Sequence, residues 1–179
     1  MRELSLESVR VSMQSYQRVL ILREKESERF LVIWIGPPEA EAIVLRLQDV
    51  KASRPQTHDL LRNVIEQFGG RVQHVVLNDM KEGTYYARIV LDVNGETVEI
   101  DSRPSDAIAL AVRADAPIYA EESVLDESAI QLHEEGDVGG EGSGGGESKP
   151  VDAAELERLG AFKDFIEGLD LSDFDERKG

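Results

Sequence analysis

The 179-residue chain contains no cysteine. That absence excludes disulfide staples, a thiol nucleophile and thiolate-bound zinc in one step. Aromatic residues make up only 6%, and no basic patch with interleaved aromatics is present to stack on single-stranded nucleic acid. Basic charge is short as well. Lys and Arg number 20 against 36 Asp and Glu, for a formal charge of −16, which opposes generic affinity for anionic phosphate backbones. No apolar run approaches the ~20 residues of a membrane span. The opening Met1-Arg2-Glu3-Leu4-Ser5 lacks the apolar core of a signal peptide, so the expectation is a cytoplasmic protein with no membrane partner. Also missing are a Walker loop, a Gly-rich dinucleotide turn and a nucleophile elbow. Gly36-Pro37-Pro38 is a poor phosphate cradle, because its two prolines carry no N–H donor.

What is present is enough to fold. Hydrophobic residues make up 41% of the chain, sufficient for a real core in one domain of ordinary size with an appendage. The acidity is unevenly placed. Residues 1–120 hold 18 acids and 15 bases, whereas residues 121–179 hold the other 18 acids with only 5 bases. Gly136 to Pro150 reads GDVGGEGSGGGESKP, a linker with nothing to bury. Past it, Leu156, Leu159, Phe162, Phe165, Ile166 and Leu169 carry helical spacing, with Asp152 placed as an N-cap. The expected layout is a domain over 1–132, a Gly/Ser/Glu-rich linker over 133–150 and an acidic amphipathic helix with a tail over 151–179.

Within the first 120 residues strands and helices alternate. Strands are expected early, at Arg18 to Arg23 and at Arg29 to Ile35, ending at Gly36-Pro37-Pro38. Helical spacing follows over Glu39 to Val50 and Gln56 to Phe68, the second stopped by Gly69-Gly70. Strands resume at Val72 to Leu77, Thr84 to Val93 and Thr97 to Asp101, with Asn94-Gly95 as a hairpin signal. A third helix follows Pro104. A shift of 65 positions lays Ile33 on Val98, Ile35 on Ile100, Glu41 on Asp106 and Ala42-Ile43 on Ala107-Ile108. The expected fold is therefore α+β, with strand–strand–strand–helix units internally duplicated and helices packed on an antiparallel or mixed sheet.

Two Arg-Pro segments hold the candidate chemistry, Arg54-Pro55-Gln56-Thr57-His58-Asp59 and Asp101-Ser102-Arg103-Pro104-Ser105-Asp106. Helix capping accounts for the Pro, Ser and acid positions: Pro fixes φ early in a helix, and the polar side chains satisfy orphan N–H groups. It does not call for Arg. Arg103 lies between Asp101 and Asp106, and such a set suits phosphate through the guanidinium and a hard cation through the carboxylates. Metal-assisted phosphodiester hydrolysis uses those parts. His58 has the intrinsic pKa of a general acid or base. Asp59, Asp79 and Glu41 are secondary candidates, Glu41 only through its match to Asp106.

The run Asp101 to Leu110, continuing to Ala116-Pro117-Ile118-Tyr119, resembles the bifunctional nuclease family, as do Val32 to Glu41, Arg54 to Leu61 and Asn78 to Tyr86. Together these segments cover roughly residues 5–130. The resemblance implies a nuclease (hydrolase) acting on RNA and DNA, in a bacterial protein with a short acidic tail. The resemblance carries over no metal site or mechanism; from the chemistry of the residues themselves, Asp101 and Asp106 are expected to hold Mg²⁺ or Mn²⁺, Arg103 to clamp phosphate and His58 to transfer protons. The alternative is a non-enzymatic oligomeric module with a cleft for an anion or a partner protein. A homo-oligomer is expected on either reading.

Overall fold

The computed structural model describes residues 1–11 and 17–131. The chain divides into two units, Met1–Glu134 and Glu135–Gly179, and the linker and acidic helix expected from the sequence lie outside the described residues.

The described part contains β1 (Arg2–Val11), β2 (Arg18–Glu24), β3 (Arg29–Ile35), α1 (Pro37–Leu47), α2 (Thr57–Gln67), β4 (Gly70–Lys81), β5 (Thr84–Val93), β6 (Glu96–Ser102), α3 (Pro104–Ala114), β7 (Ile118–Ala120), α4 (Glu122–Ser128) and β8 (Ile130–Gln131). The strands form one sheet in the order β6-β5-β4-β7-β1-β2-β3-β8. Every neighbouring pair is antiparallel except β4 and β7. This is an α+β fold on a mixed sheet. The short β7 joins its two halves, with Ile118 opposite Leu4 on one side and Val75 on the other.

Strand–strand–strand–helix occurs twice, as β1β2β3α1 and β4β5β6α3. Each unit is an antiparallel three-stranded meander followed by a helix that opens on proline. The third strands differ: β3 buries Phe30, Leu31 and Ile33, whereas every residue of β6 from Glu96 to Asp101 is exposed, and the expected internal duplication is not confirmed. The β5–β6 connection is the expected tight hairpin. Asn94 and Gly95 have φ of 53° and 90°, the positive pair that an Asn-Gly turn supplies at low cost.

One apolar core lies between the sheet and the helices, with Leu20, Leu22, Leu31, Val75, Leu77, Ile108 and Leu110 fully or almost fully buried. The most deeply set helix is α3: Ala107, Ile108, Ala109, Leu110 and Ala111 are all inaccessible. Three alanines in that stretch let neighbours approach closely, since interaxial distance follows side-chain size. Both α1 and α2 pack on α3. At the far end of α2 the chain turns sharply into β4, and a Cβ on Gly70 would lie 3.0 Å from Ile65 Cγ2 and 3.1 Å from its carbonyl oxygen. A side chain there would have to displace Ile65 by a few tenths of an ångström. Helix α4, between β7 and β8, was not anticipated by the sequence pattern; its seven residues are too few to establish helical periodicity. No helix among the described residues is long and apolar enough to cross a membrane.

Candidate active site

The first turns of three helices meet at one place. In α3, Arg103 is the N-cap residue with extended backbone, Pro104 opens the helix and Asp106 is its third residue. In α1 the sequence repeats those roles, with Gly36 as N-cap, Pro37 first and Glu39 third. In α2, Gln56 is the N-cap and His58 and Asp59 follow Thr57. Acidic residues suit such positions because the positive end of the helix dipole favours them.

Arg103 ties two of these turns together. Its Nε donates to Asp106 Oδ2 at 2.6 Å, and its Nη2 donates to Glu39 Oε1 at 2.8 Å. The other Asp106 oxygen, Oδ1, lies 3.1 Å from His58 Nε2. The result is a chain Glu39–Arg103–Asp106–His58 drawn from α1, α3 and α2. Burial pushes the Asp106 carboxyl up, but the Arg103 hydrogen bond and then His58 outweigh it and hold the group below the usual carboxylate range. An ionised carboxylate only accepts hydrogen bonds, so His58 carries its proton on Nε2 in this arrangement. Asp106 and then Glu39 hold the Arg103 guanidinium above its ordinary pKa. Access differs along the chain: the Arg103 side chain is 66% exposed, whereas His58 is only 8% exposed. Arg103 meets solvent, and His58 supports Asp106 from behind.

Capping, the plain explanation of both Arg-Pro segments, divides between them. Asp59 does cap: the Gln56 backbone N–H donates to its Oδ2 at 2.9 Å. Asp59 Oδ1 also receives Arg113 Nε at 2.7 Å. Burial raises the Asp59 carboxyl, while the Gln56 N–H and Arg113 bring it below its ordinary value. At α3 no side chain caps the N-terminus. Asp106 spends one oxygen on the side chain of its own N-cap residue, Arg103, and the other on His58 of α2, and the second of these is a contact that helix initiation does not require. Arg54 and Pro55 lie before the N-cap of α2, so only Pro104 has the early helical position expected of both prolines.

The remaining candidates lie elsewhere. Asp101 is exposed on β6, with Arg88 of β5 as its cross-strand neighbour. Glu41 is exposed on α1 and is not part of the chain. Asp79 pairs with Lys81, whose hydrogen bond lowers the carboxyl; the Lys81 ammonium also sits 5.7 Å from the centre of the Tyr86 ring. Among the described residues, no group of three or more His, Asp or Glu has the geometry to hold a metal ion.

Glu39 was missed from the sequence, and its position was legible. The 65-residue shift was set on apolar spacing and selected Glu41. Counting instead from the proline that opens each helix makes Glu39 the counterpart of Asp106, two residues after Pro37 and Pro104 respectively.

The bifunctional nuclease domain family matches residues 20–133, a span that includes all four members of the chain. An uncharacterized protein of Mycobacterium tuberculosis is 36% identical over 174 residues, covering 97% of this chain and 98% of its own length. Bifunctional nuclease 2 of Oryza sativa subsp. japonica is 29% identical over 119 residues, covering 64% of this chain and 37% of the plant protein. Bifunctional nuclease 1 of Oryza sativa subsp. indica is 24% identical over 120 residues, covering 65% and 36%. The match thus spans about a third of each plant nuclease.

Proposed function

Because the chain belongs to the bifunctional nuclease domain family, we propose that it cleaves phosphodiester bonds of RNA and DNA at the Glu39–Arg103–Asp106–His58 chain. The observation that carries this reading is the geometry of Asp106, held between an exposed guanidinium and a buried imidazole at 2.6 and 3.1 Å. Arg103 is the phosphate-binding group, since a guanidinium offers paired donors to two phosphate oxygens.

Substrate binding then alters Asp106. A phosphodiester that takes over the Arg103 donors removes the strongest partner keeping that carboxyl ionised, and burial, the largest single influence on it, is left less opposed. The carboxylate becomes more basic as the substrate arrives, next to the phosphorus that water must attack. His58 Nε2–H keeps the second oxygen oriented throughout. Arg103 stays within reach of the charge that develops on the phosphoryl oxygens.

The test is cleavage of single-stranded RNA and DNA by the purified full chain. Arg103→Ala is expected to lower kcat/KM by about 100-fold while the melting curve stays cooperative. Unchanged cleavage by that variant would discard the site. Absence of cleavage by wild-type protein freed of contaminating nucleases would discard the enzyme, and favour an anion- or partner-binding module.

A further inference from the structure

Of the exposed aromatic residues Trp34, Phe68 and Tyr86, strand register sets Tyr86 beside Arg103. The β5–β6 ladder runs without a bulge from Val93 opposite Glu96 to Ala87 opposite Ser102. There β6 leaves the sheet, so Arg103 stands one residue past the last rung, in step with Tyr86, and neighbouring strands lie about 5 Å apart. On its other side Tyr86 is paired with Asp79 of β4, and the Lys81 ammonium lies 5.7 Å from its ring centre. Ala87 is wholly inaccessible, so alternation along β5 turns Tyr86 away from the helices and the core. Tyr85 packs against that core instead, whereas Tyr86 is 40% exposed. The fold thus leaves one ring open at the rim of the sheet, between Lys81 and Arg103.

The cations of this rim already have partners. Lys81 is bound to Asp79, Arg88 donates to Glu99 at 2.7 Å, and Arg103 holds Asp106 and Glu39. The coulombic attraction that usually carries nucleic-acid affinity is therefore small here, and a strand needs a second, uncharged source of binding. An open tyrosine ring is one, because every base has a π-face that stacks on it. We propose that Tyr86 is a nucleobase-stacking subsite, holding an unpaired base of the strand whose phosphate lies on Arg103. The inference rests on the phosphodiester-cleaving reading above and adds the class of substrate. Stacking reads neither base edges nor the 2′-hydroxyl that separates RNA from DNA, so it admits both. Bases inside a duplex have their faces covered by their neighbours, so the subsite selects single strands.

The test is fluorescence anisotropy of a labelled short single strand with the full chain carrying Asp106→Asn, which slows cutting. Adding Tyr86→Ala is expected to weaken binding about 10-fold, and adding Tyr86→Phe to leave it within about twofold. A strand of the same length made of abasic sugars keeps every phosphate and loses every base. It should bind equally well with and without Tyr86→Ala, whereas a ring needed only for folding would weaken both strands together. Equal losses on the two strands, unchanged affinity in Tyr86→Ala, or a duplex bound as tightly as the single strand would each overturn the subsite. Any of these results alongside Arg103-dependent cleavage removes the subsite alone. The expected binding pattern without cleavage by the wild-type chain removes the nuclease reading and leaves the subsite standing.

Discussion

Two arginines on α3 each grip carboxylates, and they are put to opposite uses. Arg113 is 3% exposed. Its guanidinium donates to Asp59 at 2.7 Å, to the Ala109 carbonyl at 2.8 Å and to the Ala42 carbonyl at 3.0 Å, joining α1, α2 and α3. Arg103 makes two comparably short contacts at the other end of the helix, yet it is largely open to water. Because α2 places His58 on Asp106 and Asp59 on Arg113, its first turn spans seven residues of α3, about 10 Å along the axis. The difference is what each set leaves available. The Arg113 set spends its donors on backbone carbonyls and a capping carboxylate. The Arg103 set holds side chains only, one of them accessible, so its partners can be exchanged for a ligand without unfolding a helix end.

The comparison is broken most severely at Arg113. Arg113→Ala removes the extra side-chain donor from the Ala109 and Ala42 carbonyls and the hydrogen-bonded counter-charge from Asp59, and unpairing a buried arginine's carboxylate in this way costs about 3 kcal/mol. Urea unfolding should show that loss, and cleavage should fall only as far as the folded fraction does. The reverse pattern is expected at Asp106. Asp106→Asn keeps the shape and a hydrogen bond but loses the charge and the proton acceptor. The expected drop is about 100-fold in kcat, with urea stability changed by about 1 kcal/mol at most. Equal stability losses at the two sites would mean that both are structural.

Much of this was readable in advance. The α+β class, the strand order along the chain, the Asn94-Gly95 turn and the special standing of Arg103, Asp106 and His58 followed from periodicity and residue chemistry. What escaped was set by tertiary contact. Asp101 and Asp106 are five residues apart in sequence, but β6 ends and α3 begins between them. A strand residue and a helix residue need not face one way, and Asp101 is an edge-strand side chain beside Arg88. The outward apolar stripe of α2, Leu60, Leu61, Val64 and Phe68, escaped for another reason. Spacing shows that a helix is amphipathic without showing which side meets the core.

Acid sharpens the same contrast more gently. The folded pKa values of Asp59 and Asp106 lie below the ordinary value, so near pH 4 the native state binds fewer protons at these groups than the unfolded chain does. They therefore contribute stability that is complete above the unfolded pKa of about 3.9 and is lost as pH falls through the folded values. Asp59→Asn should be less stable than wild type at pH 7, and that gap should narrow below about pH 4. A gap independent of pH would show that the lost interaction does not depend on the Asp59 charge.

The smallest effects are expected at Asp101, a leading candidate from the sequence, and Glu41, a secondary one, neither of which is hydrogen-bonded to Arg103, Asp106 or His58. Each is exposed, and neither belongs to the chain that Arg103 organises. Surface substitutions of this kind change stability by about 0.5 kcal/mol or less. Asp101→Asn and Glu41→Gln should therefore leave cleavage within about twofold of wild type. Glu39→Gln supplies the discriminating partner, because it removes the charge that shares Arg103 with Asp106 while leaving the first turn of α1 intact. With that competitor weakened, Arg103 turns more fully to Asp106, and KM for nucleic acid should change more in Glu39→Gln than in Glu41→Gln. If Glu41→Gln alters KM and Glu39→Gln does not, the 65-residue register was the better guide and the helix-start count was not.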